Sequence, residues 1–154
     1  HLEGKTVSIM GDGHVITNGI DGDLLTVSGG QLSSELERPY VVLHVGLPYC
    51  SDLQTLDLEV VGTETLQDKK LQVNQVTLLV EASRGIFAGN DFDHLKEYKQ
   101  RDPGDAYGMI EGITGKVEIS MTSAWNKGGR VCGRQRDPLP LTILAAIPSV
   151  EAGG

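Results

Sequence analysis

Residues able to do chemistry are few and scattered in this chain. Four histidines occur, His1, His14, His44 and His94. None has a second histidine, a cysteine or a carboxylate at a spacing that builds a zinc site. His44 stands in an apolar run and reads as a core histidine with satisfied ring nitrogens. Asp91 and Asp93 have the spacing that opens a calcium loop, but the later acidic ligands and the central glycine of that loop are missing. Gly11-Asp12-Gly13 supplies two glycines of a dinucleotide fingerprint, and a β-hairpin turn explains them better. There is no Gly-x-Ser-x-Gly elbow and no Walker loop. Asp12, Asp21 and Asp23 are turn formers first. Nothing sets two of them across a cleft as glycoside hydrolysis requires. No catalytic residue, metal ligand or cofactor is therefore expected.

What remains are contact groups. Asp91, Phe92 and Tyr98 fall in the least regular stretch of the sequence, where binding loops tend to sit. Trp125 stands beside a turn, where it can pack locally, stack on a sugar or anchor an interface. Leu139 lies between Pro138 and Pro140, in a segment read as a stiff extended connector that presents Leu139 to the core or to a neighbouring subunit.

The elements that must position these groups are strands. Thr6 to Met10 alternates polar and apolar, Gly11-Asp12-Gly13 turns the chain, and His14 to Thr17 returns. Asn18-Gly19 and Asp21-Gly22 are further turns, and Leu24 to Ser28 is a strand closed by Gly29-Gly30. Tyr40 to Leu47 is strongly apolar and β-branched and reads as a buried strand stopped by Pro48. Leu56 to Val60 alternates as a half-exposed strand should, and Gly62 to Gln67 reads as a polar connection. Lys69 to Ala82 carries the clearest period of two. Its phase slips between Val73 and Val76, which predicts a β-bulge over Asn74-Gln75, with Val76, Leu78 and Val80 on one buried face. Ser83 to Gly108 is broken by Gly85, Gly89, Pro103 and Gly104, and Asp93 to Tyr98 can make one helical turn capped by Asp91 or Asp93. Lys116 to Met121 alternates again, Arg130 to Gln135 returns with Val131 inward, and Thr142 to Ile147 is a last apolar run ended by Pro148. The fold class is all-β, an antiparallel β-sandwich or a barrel-like form. Residues 1–38 read as a small β-hairpin module and 39–154 as the main domain, the two able to pack as one unit.

The 154 residues can bury a core without staples, and 20 glycines suit many tight turns. The net charge of −8 disfavours nucleic acid. Lys127, Arg130, Arg134 and Arg136 form one modest basic cluster, read as a solvated hairpin face. No apolar run is long enough to span a membrane. Cys50 and Cys132 are far apart in sequence and read as reduced structural thiols assembled in a reducing cytoplasm. The chain opens at His1 without an initiator Met, as a piece of a longer protein would.

Several segments in order resemble one family. They are His1-Leu2-Glu3-Gly4-Lys5-Thr6-Val7 with Gly11-Asp12-Gly13, Thr26-Val27-Ser28-Gly29-Gly30, and Val45-Gly46-Leu47-Pro48-Tyr49 with Ser51-Asp52-Leu53-Gln54-Thr55-Leu56. Lys69-Lys70, Val76-Thr77-Leu78 and Ser83-Arg84-Gly85 follow, then Trp125-Asn126, Arg134-Gln135, Asp137-Pro138-Leu139-Pro140-Leu141-Thr142 and Glu151-Ala152-Gly153-Gly154. This order is similar to the C-terminal portion of tail tubular, or nozzle, proteins of podoviruses and related prophages. The resemblance implies a non-catalytic virion structural protein, placed in the phage tail after assembly in the bacterial host cytoplasm. It implies other phage tail proteins as partners and a homo-oligomeric ring for the full-length parent, whose long barrel-forming part has no counterpart in these residues. A carbohydrate- or receptor-binding β-module at the tail tip is the alternative, with a host surface glycan as ligand. Trp125 and the loop from Asp91 to Tyr98 are its contact candidates. A polysaccharide hydrolase ranks third, for want of an acid–base pair.

Overall fold

A computed structural model describes residues 1–58, 70–101, 111–122, 125–126 and 128–152. Val60, the connection Gly62 to Gln67, Lys69, Pro103, Gly104, Gly108 and Lys127 lie outside the described residues. Among those described there are thirteen strands and no helix. All resolved pairings are antiparallel. Among the described residues no sheet closes into a barrel, and the fold is all-β, of the sandwich kind. It divides into two compact units.

The first unit comprises His1–Ser51, Arg101–Glu111 and Arg136–Leu139. It holds a five-stranded sheet. Its strands are β1 (Thr6–Gly11), β2 (His14–Thr17), β3 (Leu25–Ser28), β4 (Gln31–Leu32) and β5 (Leu43–Gly46). β1 is the hub, pairing β2, β3 and β5. The β1–β2 turn is the two-residue form read from Asp12-Gly13. Both residues have positive φ, 47° and 80°, the twist that a tight hairpin demands. Asp12 also reaches beyond its own hairpin. Its carboxylate accepts the Val41 and Val42 N–H groups at 3.1 and 2.9 Å, which fixes how the chain enters β5. Glu3 does similar work at the β3–β4 turn, accepting the N–H groups of Gly29 and Gly30.

The run Tyr40 to Leu47 departs from its expected burial. β5 pairs β1 alone among the described residues, so it is an edge strand. Val41 is 93% exposed, and Val42, Leu43, Val45 and Leu47 are exposed too. His44 is likewise exposed, not a core histidine. Apolar composition marked the strand correctly but could not reveal that its side chains are exposed.

The second unit comprises Asp52–Gln100, Gly112–Gln135 and Pro140–Gly154. One of its sheets is built on β7 (Leu71–Ser83), flanked by β10 (Ile113–Ser120) and β11 (Trp125–Asn126) and paired along its length by β13 (Thr142–Ala152). The other runs β6 (Ser51–Gln54), β12 (Cys132–Gln135), β8 (Phe87–Gly89), β9 (Leu95–Glu97). Their facing side chains share one core: Val73, Val76, Leu78 and Val80 from β7, Val117 and Ile119 from β10, Ala88 from β8, with Ile86, Met121 and Val131. The bulge falls as expected. Ser149 pairs Gln75 and Val150 pairs Val73, so Asn74 is the extra residue, and its carbonyl accepts the Met121 N–H instead. A second slip at the other end of β7 has no counterpart in the expectation. Ala82 adopts a φ of 44°, and its N–H is taken by the Thr114 hydroxyl.

Four further expectations are corrected. Asp93 to Tyr98 makes no helical turn, because Leu95–Glu97 is β9 and pairs β8. Leu56 to Leu58 is no strand; the Thr55 and Leu58 N–H groups bond singly to the Val131 and Gly128 carbonyls. Pro148 does not end the last strand, since it sits within β13 opposite Val76, and an edge strand tolerates a missing donor. Asp137 to Pro140 is not extended. The Leu139 N–H bonds to the Asp137 carbonyl at 2.7 Å, closing a tight three-residue turn about Pro138 that its fixed φ favours.

Candidate functional site

The short turn between β8 and β9 gathers the most polar chemistry. Asp91 Oδ1 accepts the N–H groups of Asp93 and His94 at 2.9 and 2.8 Å. Its carboxylate also takes His94 Nδ1 at 2.8 Å. The His94 side chain first, then these backbone donors, hold the Asp91 carboxyl below the usual carboxylate range. A carboxylate filled by N–H donors is oriented away from cation binding, which argues against the calcium-loop spacing. Among the described residues no group of three His, Cys, Asp or Glu side chains comes together to hold a metal.

Phe92 lies beneath a guanidinium. Arg134 on β12 stacks on its ring at 4.9 Å, while its fork binds Asp52 on β6 at 2.7 and 2.8 Å. Cys132 of β12 is buried, accepts from Gln54 and donates to the Asn90 carbonyl. Loss of water pushes its thiol up, the reverse of what a nucleophile needs. Cys50 is exposed, and neither cysteine is in a disulfide.

The other contact candidates stand apart from that turn. Tyr98 is half-buried, packs against the core of the second unit and donates its N–H to Ile86. Trp125 is 51% exposed, on β11 opposite Gln72. Leu139 is half-buried in the first unit, at the turn about Pro138. Thus the structure brings together Asp91 and Phe92, and leaves Tyr98, Trp125 and Leu139 in separate settings.

The basic cluster is largely committed to carboxylates. Arg130 binds Asp57, Arg134 binds Asp52 and Arg136 binds Asp21. The Arg130 fork holds the Asp57 carboxyl below its ordinary range. Sequence reasoning saw the arginines but not their partners, which lie far away along the chain.

Two surface features had no forerunner in the candidate residues. One is the exposed edge β5. The other is an open cleft of about 620 Å³ in the first unit. Val15, Leu25, Leu36 and Tyr40 contribute apolar lining, and Asp23, Glu35 and Glu37 contribute carboxylates. No protein-family model matches the chain, and no curated protein matches its sequence.

Proposed function

We propose that the chain is a structural and assembly module of a bacteriophage tail, non-catalytic, working in the virion among other tail proteins. The observation that carries this reading is the exposed apolar edge strand β5, which pairs β1 alone among the described residues. A surface of that kind suits a subunit that meets other subunits. The resemblance of the ordered segments to tail tubular proteins supports the same reading. Cys132 is buried, with its thiol pushed up by loss of water, and among the described residues no hydroxyl or thiol bonds the exposed Asp91–His94 pair. The test is mass spectrometry of purified particles from a strain that carries the gene. Peptides of this chain at a fixed ratio to the capsid protein are expected, and particles that lack them reject the proposal.

A second reading, glycan or receptor binding at the tail tip, draws on the half-exposed Trp125 and on the cleft in the first unit. An aromatic face and carboxylates beside hydroxyls are groups that hold sugars. A glycan array separates the two, because an assembly module retains no sugar.

A further inference from the structure

We infer that Asn18, in the loop between β2 and β3, is a deamidation site that the fold holds closed, and that its modification loosens Arg136–Leu139 from that loop. Of the four asparagines, Asn18 alone is followed by glycine. Glycine has no side chain to keep its nitrogen from the asparagine side-chain carbonyl, so this pair is the one best able to cyclise. The Gly19 nitrogen attacks Asn18 Cγ, and the new N–C bond closes a succinimide. The Cγ–Nδ2 bond breaks, and ammonia leaves carrying the Gly19 proton. Water then opens the ring. Attack at Cγ gives aspartate, and attack at the main-chain carbonyl gives isoaspartate.

Both reacting groups are engaged in the folded chain. The Gly19 N–H donates to Thr17 Oγ1 at 3.1 Å, and the Thr17 hydroxyl is itself fixed by donating to the Asp23 carbonyl at 2.8 Å. Asn18 Oδ1 accepts the Ile20 and Asp21 N–H groups, each at 2.9 Å. An atom with two N–H donors must be the oxygen of the amide, so Nδ2 is the end that faces Asp137 and donates to its Oδ1 at 3.2 Å. Cyclisation removes the Gly19 proton and expels Nδ2, so it cannot proceed without giving up both bonds. The product reverses the contact with Asp137. A carboxylate oxygen stands where Nδ2 stood, and two like charges meet. Isoaspartate also lengthens the main chain beside Gly19, which lies close against β1: a Cβ on Gly19 would stand 2.7 Å from the Val7 carbonyl oxygen. The Arg136–Asp21 ion pair joins the same two segments but is exposed, and exposed pairs hold weakly.

Peptide mapping by mass spectrometry, after incubation at mildly alkaline pH, tests this. In the native protein Asn18 should stay an amide while the same chain in urea converts to aspartate and isoaspartate. Asp137→Ala should raise the native rate at Asn18 by at least about tenfold, the worth of a hydrogen bond to a charged group. Asp137→Asn keeps an acceptor oxygen and should restore most of the protection. Asn18→Asp reproduces one product: its amide exchange at Leu139 should speed several-fold, while Ile20 and Asp21 hold, since a carboxylate still accepts both. Equal rates at Asn18 in native and unfolded chains overturn the inference, as does an Asp137→Ala rate like that of wild type. A rise shared by Asn74 and Asn90 in Asp137→Ala overturns it too, because the link would then hold the whole fold and not this loop. Unchanged exchange at Leu139 in Asn18→Asp overturns the loosening.

Discussion

Leu78 sits at the centre of β7, 3% exposed, between Val117 on β10 and Ala146 on β13. Its neighbour Leu79 points to the opposite face and is half-buried. Leu78→Ala removes roughly three carbons from the core. At ~0.8 kcal/mol per buried methylene the transfer loss is about 2.4 kcal/mol. The cavity adds to this, because a sheet paired on both sides of Leu78 cannot collapse inward, and the total comes to about 3–4 kcal/mol. For a protein of this size that lowers Tm by on the order of 10 °C. Leu79→Ala exposes its site to water and should cost about 1 kcal/mol or less. Circular dichroism melts of the two variants side by side measure the difference. Equal losses at the two positions would refute the reasoning, because they would mean that β7 has no single buried face.

Gly89 packs where an added methyl would collide with the backbone carbonyl of His94, so Gly89→Ala should pry β9 from β8 and cost about 1–3 kcal/mol in a urea titration. The Asp12 carboxyl is held below its ordinary range by the Val42 and Val41 N–H groups; its contribution is therefore complete above the unfolded pKa, near 4, and lost as pH falls through the lower folded value. Asp12→Asn should flatten that acid limb, seen as amide exchange at Val41 and Val42 that no longer rises specifically below about pH 4. An aromatic disulfide reagent should label Cys50 quickly in the native protein and reach Cys132 only on unfolding; two fast thiols would contradict the burial of Cys132.

Local rules carried the sequence reading wherever burial was periodic. The alternation of Val76, Leu78 and Val80 and the slip at Asn74 were legible because each inward residue meets the core directly. The Asp12-Gly13 turn was legible because its backbone demands those residues. Tyr40 to Leu47 misled because apolarity reports a tendency to be covered, not the presence of a cover. Asp93 to Tyr98 misled for a subtler reason. Asp91 accepts the next two available N–H groups as a helix cap would, yet the chain then pairs with β8, and that long-range ladder decides the outcome. The partners of Arg130, Arg134 and Arg136 were beyond reach, since no local pattern joins Asp57, Asp52 and Asp21 to them.

The long pairing of β7 with β13 has a kinetic consequence. Leu71 pairs Ala152 and Glu81 pairs Thr142, so the central strand cannot complete its sheet until residues synthesised much later arrive. Closing such long loops costs entropy before any contact rewards it, so refolding from denaturant should run in milliseconds to seconds rather than microseconds. On the ribosome β7 emerges before all of its partners, β10, β11 and β13, and its sheet waits for β13 to be complete. During that interval the nascent chain exposes an apolar face and open strand edges, which makes it a natural client for holdase chaperones.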